Sequence, residues 1–242
     1  MAAEAALGRP IAVVTVCLNP GPILWRAIDS VEALADPRLT HIVIDGASSD
    51  GTVPWLEAQA ARLGYWVSEP DDGIYDAMNK GWAAAPPDAY VLFIGADDRL
   101  MSLPSAEELL DAERAGCVII HGVTTLGSRD FRSRLDRTIL FRNTLHHQSL
   151  LIRKDAWPVP PFNPRYRLYG DWDFNIRLWR AGARAVQMSS LRAYASPGGL
   201  SSVRSVAESF RVASDNSGIA IGALAAALAL LGRLRATRHP TG

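Results

Sequence analysis

The sequence predicts an α/β fold: a single domain with a mainly parallel central sheet flanked by helices, plus a C-terminal helical tail. Three observations predict it. Short β-branched apolar runs recur, segments with helical spacing separate them, and polar, acidic or glycine-bearing turns follow the strands. In such sheets a ligand sits beyond the carboxyl ends of the strands. Asp45 and Asp97-Asp98 fall there.

The first element is Ile11–Leu18, a continuous apolar run of the kind buried on both faces of a sheet. Asn19-Pro20-Gly21-Pro22 breaks it. Leu24, Ala27, Ile28 and Val31 then mark a helix over 23–34. His41–Asp45 is the second strand, Thr52–Leu63 the second helix and Tyr65–Val67 a short third strand. Ile74–Ala85 is a helix stopped by Pro86-Pro87, and Tyr90–Ile94 is the fourth strand. Beyond residue 100 the pattern loosens. Helices are expected over 107–115 and 169–181, strands over 117–121, 149–152 and 185–188, and a hairpin or loop over 131–142.

Composition bounds the function. The 242 residues suit one large domain or a domain with a tail, and 48% hydrophobic content can build a core. Lys+Arg and Asp+Glu balance at 25 each, so no whole-chain field draws nucleic acid, and none is expected as a partner. Cys17 and Cys117 lie in apolar runs and read as reduced core residues, which favours a cytoplasmic location. Met1–Pro10 does not read as a signal peptide. Gly218–Leu231 is an apolar run of 14 residues, too short to span a bilayer alone, followed by Arg233, Arg235 and Arg238. Such a helix suits peripheral contact with the inner face of the cytoplasmic membrane, or packing on the domain or on another copy.

Several chemistries lack their signatures. The sequence has no phosphate-binding Gly-x-x-x-x-Gly-Lys loop, no Gly-x-Gly-x-x-Gly after the first strand, no Gly-x-Ser-x-Gly elbow and no His-Glu-x-x-His. What remains is a set of carboxylates at strand ends, suited to a hard cation and a phosphate-bearing substrate.

Three blocks carry a resemblance. They are Val14-Thr15-Val16-Cys17-Leu18-Asn19, then Ile44-Asp45-Gly46-Ala47-Ser48-Ser49-Asp50-Gly51-Thr52, then Ser68 to Gly81 with Gly95-Ala96-Asp97-Asp98. In order and spacing they resemble the family 2 glycosyltransferases of GT-A (Rossmann-like) fold. The run Gly-Ile-Tyr-Asp-Ala-Met-Asn-Lys-Gly at 73–81 is similar to the branch that builds bacterial exopolysaccharide such as colanic acid. The resemblance implies a glycosyltransferase domain over 8–200, its nucleotide-binding half about 8–100 and its acceptor-binding half about 101–200, with a helical tail over 201–242.

It further implies an inverting transfer of one sugar from a nucleotide-diphospho-sugar to a glycan or lipid-linked acceptor in cell-surface polysaccharide biosynthesis. The Gln-x-x-Arg-Trp motif and spanning helices of the processive synthases are missing, which implies one sugar per encounter. Thr15, Asn19, Asp45, Ser48, Asp76, Asn79, Asp97 and His147 would contact the nucleotide-sugar. Asp97 and Asp98 would hold Mg²⁺ or Mn²⁺, with Gly95 where the family commonly has Asp. Asp171, in Gly170-Asp171-Trp172-Asp173-Phe174, matches the catalytic base, with Gly170 in place of the usual Glu. Physical chemistry offers plainer roles beside these: Asp50 or Ser49 can cap the helix that follows, and Asp171 and Asp173 suit a helix N-terminus. Arg129, Arg132, Arg134 and Arg137 form a basic stretch that suits a solvated loop, a diphosphate or an anionic lipid-linked acceptor. Two rivals share the acidic strand ends: a nucleotidyltransferase acting on sugar phosphates and a non-catalytic nucleotide-sugar-binding module.

Overall fold

The computed structural model describes residues 8–197 and 205–238, the side chains of 235–238 excepted. The tail boundary expected at 200/201, the extreme N-terminus and the side chains of Arg235 and Arg238 lie outside the described residues.

The first half follows the expected alternation: β1 (Ile11–Cys17), α1 (Leu24–Glu32), β2 (Leu39–Asp45), α2 (Thr52–Gln59), β3 (Tyr65–Ser68), α3 (Ile74–Ala84) and β4 (Tyr90–Gly95). These strands lie in the order β3-β2-β1-β4 and pair in parallel throughout. All seven residues of β1 are buried, as its unbroken apolar run demands of a central strand.

The second half comprises β5 (Arg99–Ser102), α4 (Ala106–Arg114), β6 (Ile119–Leu126), β7 (Arg129–Arg132), β8 (Leu150–Arg153), α5 (Gly170–Arg180) and β9 (Ala185–Ala195). Here the sheet is mixed. β8 runs antiparallel to β4 and β6, β5 antiparallel to β9, and β9 parallel to β6. Parallel neighbours need crossovers of about a dozen residues or more. The two-residue turn between β6 and β7, with Gly127 at φ +61°, enforces a hairpin instead. β5 and β7 are too short to show alternation, so the sequence hid the first and placed the second within a loop. β9 runs seven residues past its expected end.

Helices cover both faces. Tyr75, Met78 and Trp82 of α3 pack with Phe174 and Ile176 of α5 on one side. On the other, α1 and α4 contribute Ala27, Val31, Leu109 and Ala112.

After residue 205 come α6 (Val206–Ser217) and α7 (Ile219–Arg238). Val212 and Ala213 of α6 join the core, and Glu208 accepts the backbone N–H groups of Leu168 and Tyr169 just before α5. α7 folds back on α6 so closely that a side chain at Gly222 would meet Ser214 and the Phe210 carbonyl. Among the described residues, no helix is long and apolar enough to cross a membrane.

Candidate active site

The carboxyl ends of β1, β2 and β4 open on one rim of the sheet. Past β1 the chain turns through Asn19 at φ +47°, a left-handed conformation that asparagine tolerates. The Asn19 N–H donates to Ser48 Oγ at 2.7 Å, and its side-chain oxygen accepts from the Ser49 N–H at 2.8 Å. Asp45 lies beneath this loop, fully buried. Its carboxylate accepts from the Ser48 hydroxyl and N–H (2.5 and 2.9 Å), from Ser68 Oγ at 2.6 Å and from the Cys17 thiol at 3.4 Å. Burial, reinforced by the Asp45 charge, pushes the Cys17 thiol up and keeps it a donor. Asp45 therefore organises Ser48 and Asn19 and presents no free carboxylate to the rim.

Asp50 does cap α2, one position earlier than usual. One oxygen accepts the Thr52 N–H and hydroxyl, the other the Gly21 N–H at 2.6 Å, while Gly51 takes the N-cap at φ +92°. Ser49 is not the cap, because it donates to Asn19.

Three expected donor contacts are corrected, Asp45 being the first, since its buried carboxylate is spent on Ser48, Ser68 and Cys17. Thr15 is fully buried and hydrogen-bonds His41 Nε2 at 2.8 Å, because strand alternation turns it under α1, away from solvent. Burial holds His41 down at about 4, hence neutral. Asn79 spends both ends of its amide on Phe162, donating to the carbonyl at 2.8 Å and accepting the N–H at 3.0 Å. Asp76, in the first turn of α3, accepts the Asp72 N–H and pairs with Lys80 at 3.4 Å.

Asp97 and Asp98 differ sharply. Asp98 is 5% exposed and saturated: it accepts the Gly95 N–H at 2.8 Å, the Gln148 side-chain amide at 3.1 Å and the Ser196 N–H at 3.1 Å. Apart from its own N–H, no donor among the described residues reaches the Asp97 carboxylate. Burial, then the Asp98 charge, raises its pKa above the ordinary carboxylate value. Gly95 fits this pair: a Cβ there would lie 3.2 Å from an oxygen of each carboxylate. Both aspartates line a cleft of about 360 Å³ with Cys17, His147, Gln148 and Ser196. A divalent cation suits Asp97, whose carboxylate accepts from no neighbouring residue. Among the described residues no three His, Cys, Asp or Glu side chains group as a cage. Such an ion would draw its remaining oxygens from a substrate diphosphate and water, as Mg²⁺ commonly does.

Asp171 lies in the first turn of α5, behind His147 of the cleft wall. One oxygen accepts from the Tyr75 hydroxyl at 3.1 Å and its own helix's Trp172 N–H at 2.8 Å. The other accepts from the Asn143 amide at 2.9 Å and lies 3.7 Å from His147 Nδ1. Burial, then the Asp171 charge, drives the Tyr75 pKa well up, so its hydroxyl keeps its proton. Cys17, hydrogen-bonded to Asp45, lines the same cleft as Asp97 and as His147, the neighbour of Asp171. Of the expected acidic residues, Asp97 and Asp98 line that cleft, whereas Asp45 and Asp171 stand behind it, each one residue removed through Cys17 and His147.

Sequence reasoning missed Tyr75, Asn143, Gln148 and Ser196. Tyr75 lay inside the conspicuous 73–81 run, and Gln148 beside His147. Nothing local marked Asn143 or Ser196, which reach the site through long-range folding.

The sequence model described as Glycosyl transferase family 2 matches residues 12–171. A PGL/p-HBAD biosynthesis glycosyltransferase of Mycobacterium tuberculosis is 30% identical over 177 residues, spanning 69% of this chain and 68% of that protein. Among solved structures, Staphylococcus aureus TarS 1–349 superposes with a TM-score of 0.64 at 16% identity, over 86% of this chain. The present chain spans 65% of that one's length. A mannosyltransferase from Pyrobaculum calidifontis, in complex with GDP-Man and Mn²⁺, superposes with a TM-score of 0.59 at 17% identity, over 94% of this chain and 76% of the other. At these identities the structural likeness speaks for a shared GT-A fold.

Proposed function

The chain belongs to the family 2 glycosyltransferases, and from that premise we propose an inverting transfer of a single sugar from a nucleotide-diphospho-sugar to a glycan or lipid-linked acceptor in cell-surface polysaccharide biosynthesis. The observation that carries this reading is a cleft lined by Asp97 and His147, with the Asp171 carboxylate 3.7 Å behind His147 Nδ1.

Asn19, Ser48 and Asp76, at the rim, bind the nucleotide side of the donor. Asp97 holds the Mg²⁺ or Mn²⁺ ion, and Asp98 fixes the turn that presents it. The ion, when bound, neutralises charge growing on the leaving diphosphate. His147 orients the diphosphate end or the acceptor. Asp171 takes the proton of an acceptor hydroxyl as that oxygen attacks the anomeric carbon. The bond to the diphosphate breaks, a nucleoside diphosphate leaves and the anomeric configuration inverts. Tyr75 and Asn143 hold the carboxylate for that task. A binding role for the Mycobacterium relative's kind of substrate is not needed for this reading. α7 gives peripheral contact with the cytoplasmic face of the membrane through its exposed Leu224 and Leu230.

The test is Asp171→Asn, assayed with a panel of UDP- and GDP-sugars with and without Mn²⁺. The variant is expected to bind nucleotide as wild type does and to lose transfer. Transfer at the wild-type rate refutes the base assignment. Pyrophosphate release by wild type would point to nucleotidyl transfer instead.

A further inference from the structure

Two cavities outside the cleft meet at the back of the candidate base. One, of about 300 Å³, is walled by Arg132, Arg134 and Arg142 and reaches Asn143. Arg134 pairs with Asp136 at 3.2 Å, whereas Arg132 and Arg142 act on Asp130 and Asp136 only at longer range, with no carboxylate among the described residues within 4 Å of their guanidinium groups. The other, of about 500 Å³, is a groove between α7 and the segment around Arg142. Ala225, Ala229 and Gly232 leave it open on the helix side, and Leu228 and Leu231 line it. Trp172 forms its floor, fixed by its indole N–H on the Ile139 carbonyl at 2.5 Å.

Arg142 and Asn143 belong to both cavities. Asn143 also donates to Asp171 at 2.9 Å. From Asn143, which holds the Asp171 carboxylate, the cavities run to a cluster of guanidinium groups and then to an apolar trough on a helix whose leucines are exposed. That succession is the mirror of one chemical class: a hydroxyl-bearing head, an anionic phosphate and a hydrocarbon chain.

We propose that these joined cavities form the acceptor site and take a phosphorylated lipid, its phosphate on Arg132 and Arg142 and its chain along α7. The assignment rests on the transferase reading above and narrows its acceptor to an anionic amphiphile. A neutral glycan would leave the arginines unpaired and the trough wet. A phosphate without a chain would leave Leu228 and Leu231 in water. Guanidinium groups match phosphate oxygens in forked geometry, and burial of each methylene adds to the grip.

The test needs no turnover. Full-length protein is titrated with monomeric dodecyl phosphate, dodecyl maltoside and inorganic phosphate, with Trp172 fluorescence and calorimetry as readouts. Dodecyl phosphate is expected to bind about tenfold or more tighter than either partial mimic. Arg142→Ala is expected to weaken dodecyl phosphate by about tenfold and leave dodecyl maltoside unchanged, while Leu228→Asp weakens both. Melting temperature and UDP binding check that each variant is folded. Equal binding of the phosphate and maltoside amphiphiles overturns the proposal, as does binding of inorganic phosphate as tight as that of dodecyl phosphate. So does self-association that Leu228→Asp abolishes while wild type ignores the amphiphile, since the trough would then belong to a second copy. Any of these, with Mn²⁺-dependent donor turnover intact in wild type, removes the acceptor site and leaves the transferase reading in place. Absence of donor turnover with every sugar removes the latter instead.

Discussion

The ring of Tyr75 occupies the space that a side chain at position 170 would fill: a Cβ on Gly170 would lie 2.8 Å from ring Cδ2. The glycine that departs from the family's usual glutamate is thus what admits the tyrosine, and the tyrosine's hydroxyl reaches the neighbouring Asp171. The two residues are 95 positions apart, and each explains the other.

Gly170→Ala should therefore strain the base helix against a buried ring. Overpacking of this kind costs about 1–3 kcal/mol, read as a lower urea midpoint. Combining it with Tyr75→Ala should cost less than the sum of the two single changes, because the clash has gone. Strict additivity would contradict the steric account.

Tyr75→Phe keeps the ring and removes the donor to Asp171. Loss of a hydrogen bond to a charged group is worth about 1.5–3 kcal/mol, so kcat should fall about 10- to 100-fold with little change in donor Kd. An unchanged kcat would show that Tyr75 only packs.

Asp97 and Asp98 should separate experimentally. Asp97→Asn should leave the melting temperature close to wild type and abolish Mn²⁺ dependence, because its carboxylate accepts from no other residue among those described. Asp98→Asn should lower stability by about 1–3 kcal/mol, since three donors converge on that buried carboxylate. Thermal melts with and without Mn²⁺ tell the two apart.

His41 makes stability depend on pH. It is held neutral down to about 4, against an ordinary value of 6.5. Between those values the unfolded chain binds a proton that the folded chain refuses. Stability should be full above pH 6.5 and fall as pH drops towards 4, by up to about 3 kcal/mol. Urea midpoints at pH 7 and pH 5 measure the loss, and His41→Asn should flatten it.

The parallel half of the fold was legible because its strands are unbroken apolar runs separated by helical spacing; Asp97 and Asp98 stood out as polar groups at a strand end, whereas Asp171 and His147 were marked by the family resemblance. Thr15 and Asn79 were misread for one reason: a motif fixes where a residue lies along an element, whereas its face depends on what packs there. Thr15 met His41, and Asn79 met the backbone of Phe162. The mixed half of the sheet was hidden because β5 and β7 are each four residues long, too few for alternation to stand out from chance.

The clasp between Asn79 and Phe162 spans 83 positions, and Tyr75 on the same helix crosses to Leu168 and Asp171. One short helix from the parallel half is thus riveted to the segment that carries the proposed base. Chimeras that splice a foreign front half onto this back half, in search of new donor preferences, would have to carry residues 75, 79 and 170 across as a set. Otherwise they would misalign the very group whose partner sugar they set out to change.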